Sequence, residues 1–130
     1  MPVLLDTTVL IDALRGRRGV LARLDAIERR GETPLTCAIN IEELVRGLRP
    51  HEEEAAERLL QGLHVARLGR LEGIQAGAWR RQSAQRGIIL SQSDCLVGAA
   101  AVSAGARLAT GNPRHFPFDE LTVEHWPVGA

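Results

Sequence analysis

The chain contains no lysine. All 16 of its basic residues are arginine, and 16 acids balance them to a formal net charge of zero. Without lysine the chain lacks the residue with which phosphoaspartyl switches and the related phosphatases hold a phosphoryl group. A net charge of zero gives no bulk attraction to nucleic acid. The cations present are guanidiniums, the better fork for phosphate oxygens, although the arginine codons of a GC-rich genome account for most of that bias. No apolar run is long enough to cross a bilayer, and no basic stretch leads into an apolar one at the N-terminus, so the expected location is the cytoplasm. The two cysteines, Cys37 and Cys95, lie in apolar surroundings without metal-ligand spacing. That points to buried thiols rather than a disulfide framework.

What is present reads as an ordinary globular domain. The 130 residues, 45% hydrophobic and 25% charged, suit a single domain spanning 1–130 with a core of its own. There is no repeat, low-complexity tract or linker. Val3-Leu4-Leu5 reads as a buried strand, Asp6-Thr7-Thr8 as a polar junction, and the residues to Leu14 as a helix. Helices are expected over 20–30, 40–48, 51–63, 70–85 and 91–104, with short apolar strands over 35–38, 65–68, 107–110 and 121–124. Strands that alternate with helices and lack polar alternation predict an α/β fold. Its short parallel sheet, of about four to five strands, is flanked by helices on both faces.

In such sheets a site forms outside the carboxyl ends of the strands. Asp6 follows the first strand, Thr110 to Asn112 follow the fourth, and Asp94 stands near a helix start. Each acid also has a structural reading. Asp6 fits an N-cap, and Ser91-Gln92-Ser93-Asp94 matches a capping box. Two such acids on one rim can share a divalent cation, and Mg²⁺ is held by one or two carboxylates with waters and substrate phosphate. In the helix from Asn40, turning about 100° per residue, Ile41, Leu44, Val45 and Leu48 form the expected core face. Glu42 falls beside Arg46 and Arg49, an arrangement that explains it as a surface ion pair. Glu43 falls between Asn40 and Gly47, where a ligand can come close.

These residues resemble a known family. Leu4-Leu5-Asp6-Thr7-Thr8, Asn40-Ile41-Glu42-Glu43-Leu44, Ser91-Gln92-Ser93-Asp94-Cys95 and Leu108-Ala109-Thr110-Gly111-Asn112 are similar, in order and spacing, to the four motifs of PIN-domain toxins of VapC-type toxin–antitoxin systems. The resemblance implies a PIN-like fold and endoribonuclease activity that leaves a 5′-phosphate. It also implies a homodimer and a cognate VapB-like antitoxin bound through its C-terminal segment. It makes Asp6, Glu43 and Asp94 the catalytic acids. Asp6 and Asp94 are expected to ligate Mg²⁺, with Mn²⁺ as a substitute, while Glu43 orients or deprotonates a water and Thr8 and Asn112 support the site. Family members often carry a fourth acid at the position of Asn112 or of His115. Neither is acidic here, so a single ion is expected.

Two other functions fit less well. An acid-pocket phosphoryl-transfer protein would need the missing lysine, and a phosphatase of that kind a second Asp where Thr8 stands. A catalytically weak PIN-fold module that only engages its antitoxin is compatible with the missing fourth acid.

Overall fold

The computed structural model describes residues 1–130. In chain order it contains β1 (Val3–Leu5), α1 (Thr7–Leu14), α2 (Arg18–Arg29), β2 (Pro34–Thr36), α3 (Ala38–Arg46), α4 (Glu53–Gln61), β3 (His64–Val65), α5 (Arg70–Gln85), α6 (Gln92–Ser103), β4 (Arg107–Thr110) and β5 (Val123–His125). The five strands form one sheet in the order β3-β2-β1-β4-β5. Every pairing is parallel, as the unbroken apolar strands predict.

Alternation along the strands builds two cores. Val3 and Leu5 of β1 and Ala109 of β4 point into a cluster with Val9, Leu10, Val20, Ile27 and Leu44 from the first helices. Leu4 and Leu108 point the other way, into a cluster with Trp79 of α5 and the alanines of α6. α6 buries residues on nearly every side, which explains its uniformly small, apolar sequence. At Gly98 a β-carbon would come within 3.0 Å of the Phe118 ring, so the bare backbone there admits the stacked Trp79–Phe118 pair. No helix is long and apolar enough to cross a membrane.

Several boundaries differ from the sequence reading. β2 ends at Thr36 because Cys37 turns into the N-cap of α3, so that helix starts at Ala38 and not at Asn40. The helix expected over 51–63 is a 3-10 turn at Pro50–Glu52 followed by α4. β3 and β5 are shifted as well, since Leu121 packs into the core from a loop. The α3 core face is also rotated: Asn40 and Leu44 are buried, whereas Val45 is half exposed.

The amino end of the sheet carries the densest ion pairing. Arg107 reaches Glu32 at 2.6 Å and Glu124 at 2.7 Å, and Trp126 donates to Glu124. The guanidiniums of Arg107 and then Arg30 hold the Glu32 carboxyl at about 2, down from 4.5. A carboxylate whose pKa falls on folding stabilises fully above its ordinary value, and that stabilisation is lost as the pH drops through the folded one. Glu32→Gln should therefore lower the neutral-pH melting temperature and shrink the loss of stability between pH 4.5 and about 2. Thermal melts across that range check this, and identical acid limbs for the two proteins would contradict it.

Candidate active site

The strand order places a topological switch point between β1 and β4. The chain leaves β1 towards β2 on one side and leaves β4 towards β5 on the other. The crevice between their carboxyl ends is where α/β sheets bind ligands. Asp6 is the first residue beyond β1, and its amide continues the ladder by donating to the Ala109 carbonyl at 3.0 Å. It occupies the N-cap position of α1, but its side chain makes no capping bond. Its Oδ1 instead accepts from Asn40 Nδ2 at 3.1 Å, and its Oδ2 from Thr110 Oγ1 at 2.7 Å.

Asp6 is only 7% exposed, and burial pushes its carboxyl above the ordinary 3.8. The Thr110 hydroxyl and the Thr7 amide oppose that shift, and the charges of Asp94 and Glu43 add to it. Glu43 sits on α3, where Thr7 Oγ1 donates to its Oε1 at 2.6 Å. Asn40 Nδ2 also donates to Thr7 Oγ1, at 3.0 Å, while Asn40 Oδ1 is buried without a partner. Glu42, the adjacent acid, points to solvent and pairs with Arg46 at 3.0 Å.

Asp94 opens α6. Its amide donates to Ser91 Oγ at 3.0 Å, which is one half of a capping box. The carboxylate does not return the bond and lies instead 3.5 Å from His115 Nδ1. Thr8 bonds none of the acids: its Oγ1 accepts the Gly111 amide at 2.9 Å. Asn112 participates through its backbone, donating to Thr110 Oγ1 at 3.0 Å. The first bond stitches the loop after β4 to α1, and the second folds that loop back onto the end of β4. The neutral donors Thr7 and Thr110 escaped the sequence reading of roles, because nothing in the sequence tells which hydroxyl meets which carboxylate. The one signal available was Asn40, on the same helical face as Glu43.

No three His, Cys, Asp or Glu side chains converge closely enough to form a metal cage by themselves. Burial pushes the Cys37 and Cys95 thiols up. The residues nevertheless fit a hard, hydrated cation. Three acids share the crevice, none of them ion-paired to an arginine, and the unpartnered Asn40 oxygen adds a further acceptor. Mg²⁺ asks for that kind of site, in which waters fill most positions.

The chain matches the PIN domain family model over residues 3–122. It is 34% identical over 122 residues to the ribonuclease VapC19 of Mycobacterium tuberculosis, covering 88% of this chain and 91% of that protein. Among solved structures, the VapBC2 complex from Rickettsia felis bound to a promoter DNA fragment superposes with a TM-score of 0.86 at 20% identity. That match covers 97% of this chain and 99% of the other. DNA-bound VapBC from Salmonella typhimurium gives a TM-score of 0.82 at 22% identity, covering 97% and 98%.

The raised pKa of Asp6 fixes the sign of a stability test. The cost of its charge is absent below 3.8 and complete once the pH passes the raised folded value. In metal-free protein, Asp6→Asn should melt above wild type at neutral pH and match it in acid. The unpartnered Asn40 oxygen lets that amide turn to meet the new NH₂. A lower neutral-pH melting temperature would mean that the lost carboxylate hydrogen bonds outweigh the cost of burying the charge beside two other acids.

Proposed function

The chain belongs to the PIN-domain family, and from that premise we propose that it is a Mg²⁺-dependent endoribonuclease, the toxin of a toxin–antitoxin pair, acting as one domain through Asp6, Glu43 and Asp94. The observation that carries this reading is the buried Asp6 carboxylate, with Glu43 and Asp94 beside it and none of the three ion-paired to an arginine: their side-chain partners are Thr7, Thr110, Asn40 and His115. The homology to VapC19, a protein named as a ribonuclease, supports it.

Asp6 and Asp94 are the proposed ligands. A divalent cation bound there supplies charge neutralisation and Lewis acidity towards the phosphate. The chain's own groups do the rest. Thr110 and Asn40 hold the Asp6 oxygens in place, each leaving a lone pair free. Thr7 occupies one oxygen of Glu43 and so aims the other, which takes the proton from the attacking water. The water oxygen bonds to phosphorus, the P–O3′ bond breaks, and the leaving 3′ oxygen is protonated from solvent. Asn112 and His115 stand where relatives often have an acid, so one ion is proposed, with Mn²⁺ as a substitute.

The proposed partner is an antitoxin whose C-terminal segment lies along the helical face. Leu10 and Leu44 are sealed in the core and offer it nothing. Leu24, Ile27, Leu59 and Leu63 line an open crevice of about 590 Å³ between α2 and α4. Ile11, Leu14 and Leu48 line a smaller one beside Glu43. For the proposed homodimer, Leu71 and Ile74 of α5 supply exposed apolar surface.

Cleavage of total RNA with end mapping, with and without Mg²⁺, tests the activity. Asp6→Asn, Asp94→Asn and Glu43→Gln should each cut the rate by about a hundredfold or more, while Glu42→Gln should stay near wild type. Full activity in any of the first three would remove that residue from the site. For the partner, the product of the neighbouring gene should copurify and block cleavage. A bound neighbour that leaves the nuclease fully active would overturn the toxin reading and leave the nuclease reading standing.

A further inference from the structure

We propose that the cleft on the Asp94 side of the acid pocket is a backbone-phosphate subsite for single-stranded RNA, with Arg114 and His125 as its holding residues. This inference rests on the ribonuclease reading. The cleft measures about 320 Å³ and is lined by Gly111, Asn112, Pro113, Arg114, His115 and His125. It contains three basic side chains and no acid.

Its position ties it to the chemistry. His125 ends β5 and is the register partner of Thr110, whose hydroxyl holds Asp6. His115 stands 3.5 Å from Asp94. The cleft therefore begins where the acid pocket ends. Its floor is pinned by the Gly111–Thr8 and Asn112–Thr110 bonds. A side chain at Gly111 would run into Val128. Arg114 has no carboxylate within ion-pair distance, unlike Arg107, Arg15, Arg30 and Arg46, and His125 has none either.

The electrostatics call for such a subsite. Three carboxylates repel a polyanion, and one divalent cation offsets only two of those charges. The chain's zero net charge adds no long-range pull, so the strand must be held by cations just outside the pocket. Asp6 is 7% exposed, so the scissile phosphate has to dip into the crevice, which a single strand does more readily than a stiff duplex. The opposite flank, around Arg15, Arg17, Arg49 and His51, is also basic. It contains Glu52, paired with Arg15 at 3.4 Å, and runs on into Glu53 and Glu54. Asp94 lies beside His115 at the edge of the first cleft, but no acid lines that cleft itself, and this makes it the better phosphate seat.

The test is fluorescence anisotropy with a fluorescein-labelled single-stranded RNA oligonucleotide across a salt series, beside Mg²⁺-dependent cleavage kinetics. Arg114→Ala should weaken binding about tenfold and make the salt slope shallower by about 0.7. It should raise KM with kcat nearly unchanged and leave the melting temperature unmoved. Arg114→Lys should restore the slope, and His125→Gln should move binding in the same direction by less. Unchanged affinity and slope in Arg114→Ala and His125→Gln, with wild type still binding and cutting RNA, overturn this subsite alone. So does a slope that shifts only in Arg17→Ala/Arg49→Ala. A wild-type protein that neither binds nor cuts RNA removes the ribonuclease reading and this subsite together.

Discussion

A carboxylate sealed at the end of the central strand, with two more acids beside it and no ion pair from an arginine to any of them, sets the terms for the rest of the structure. At the surface and at the amino end of the sheet the chain pairs several acids with cations. Glu32 takes Arg107 and Arg30, Glu42 takes Arg46, and Glu52 takes Arg15. At the carboxyl rim Asp6 and Glu43 meet only neutral donors, the hydroxyls of Thr7 and Thr110 and the amide of Asn40, and Asp94 has the His115 ring beside it. Neutral donors orient a carboxylate without cancelling its charge. The negative potential stays available to an outside cation, and burial makes each uncancelled charge cost more than it would in water.

The architecture supplies that arrangement at little expense elsewhere. An all-parallel sheet with a switch point leaves a crevice between β1 and β4 that needs no further shaping. Asp6 enters it from the first strand, Glu43 from a helix that packs on one face through Leu44, and Asp94 from α6 on the other. Three elements converge on one point because each is fixed by its own core contacts. The bonds from Thr8 to Gly111 and from Thr110 to Asn112 then lock the last loop beside them. Ion pairing is concentrated at the opposite, amino end of the sheet, where it stabilises the strands without screening the site.

Much of this was readable from the sequence wherever a single signal dominated. The apolar run before Asp6 marked β1, and the limits of α5 and β4 came out as expected because strong breakers flank them. Glu42 and Glu43 were separated correctly by helical phase, since Arg46 lies one turn after Glu42. Phase misled at Val45, which hydropathy placed in the core and the structure leaves half exposed. Buried Asn40 takes up that face because it has a carboxylate and a hydroxyl to bond. The hydroxyl-to-carboxylate pairings span 36 and 104 residues, and no local pattern encodes such distances.

The central claim is that Asp6, Glu43 and Asp94 act as one electrostatic unit awaiting a divalent cation. The most direct measurement is a pH titration of the Asp6 side-chain carboxyl carbon by NMR, with and without Mg²⁺. The account predicts an apparent pKa above the ordinary 3.8 in the metal-free protein and a fall well below it when Mg²⁺ is added. A value at or below 3.8 without metal, unmoved by Mg²⁺, would contradict it.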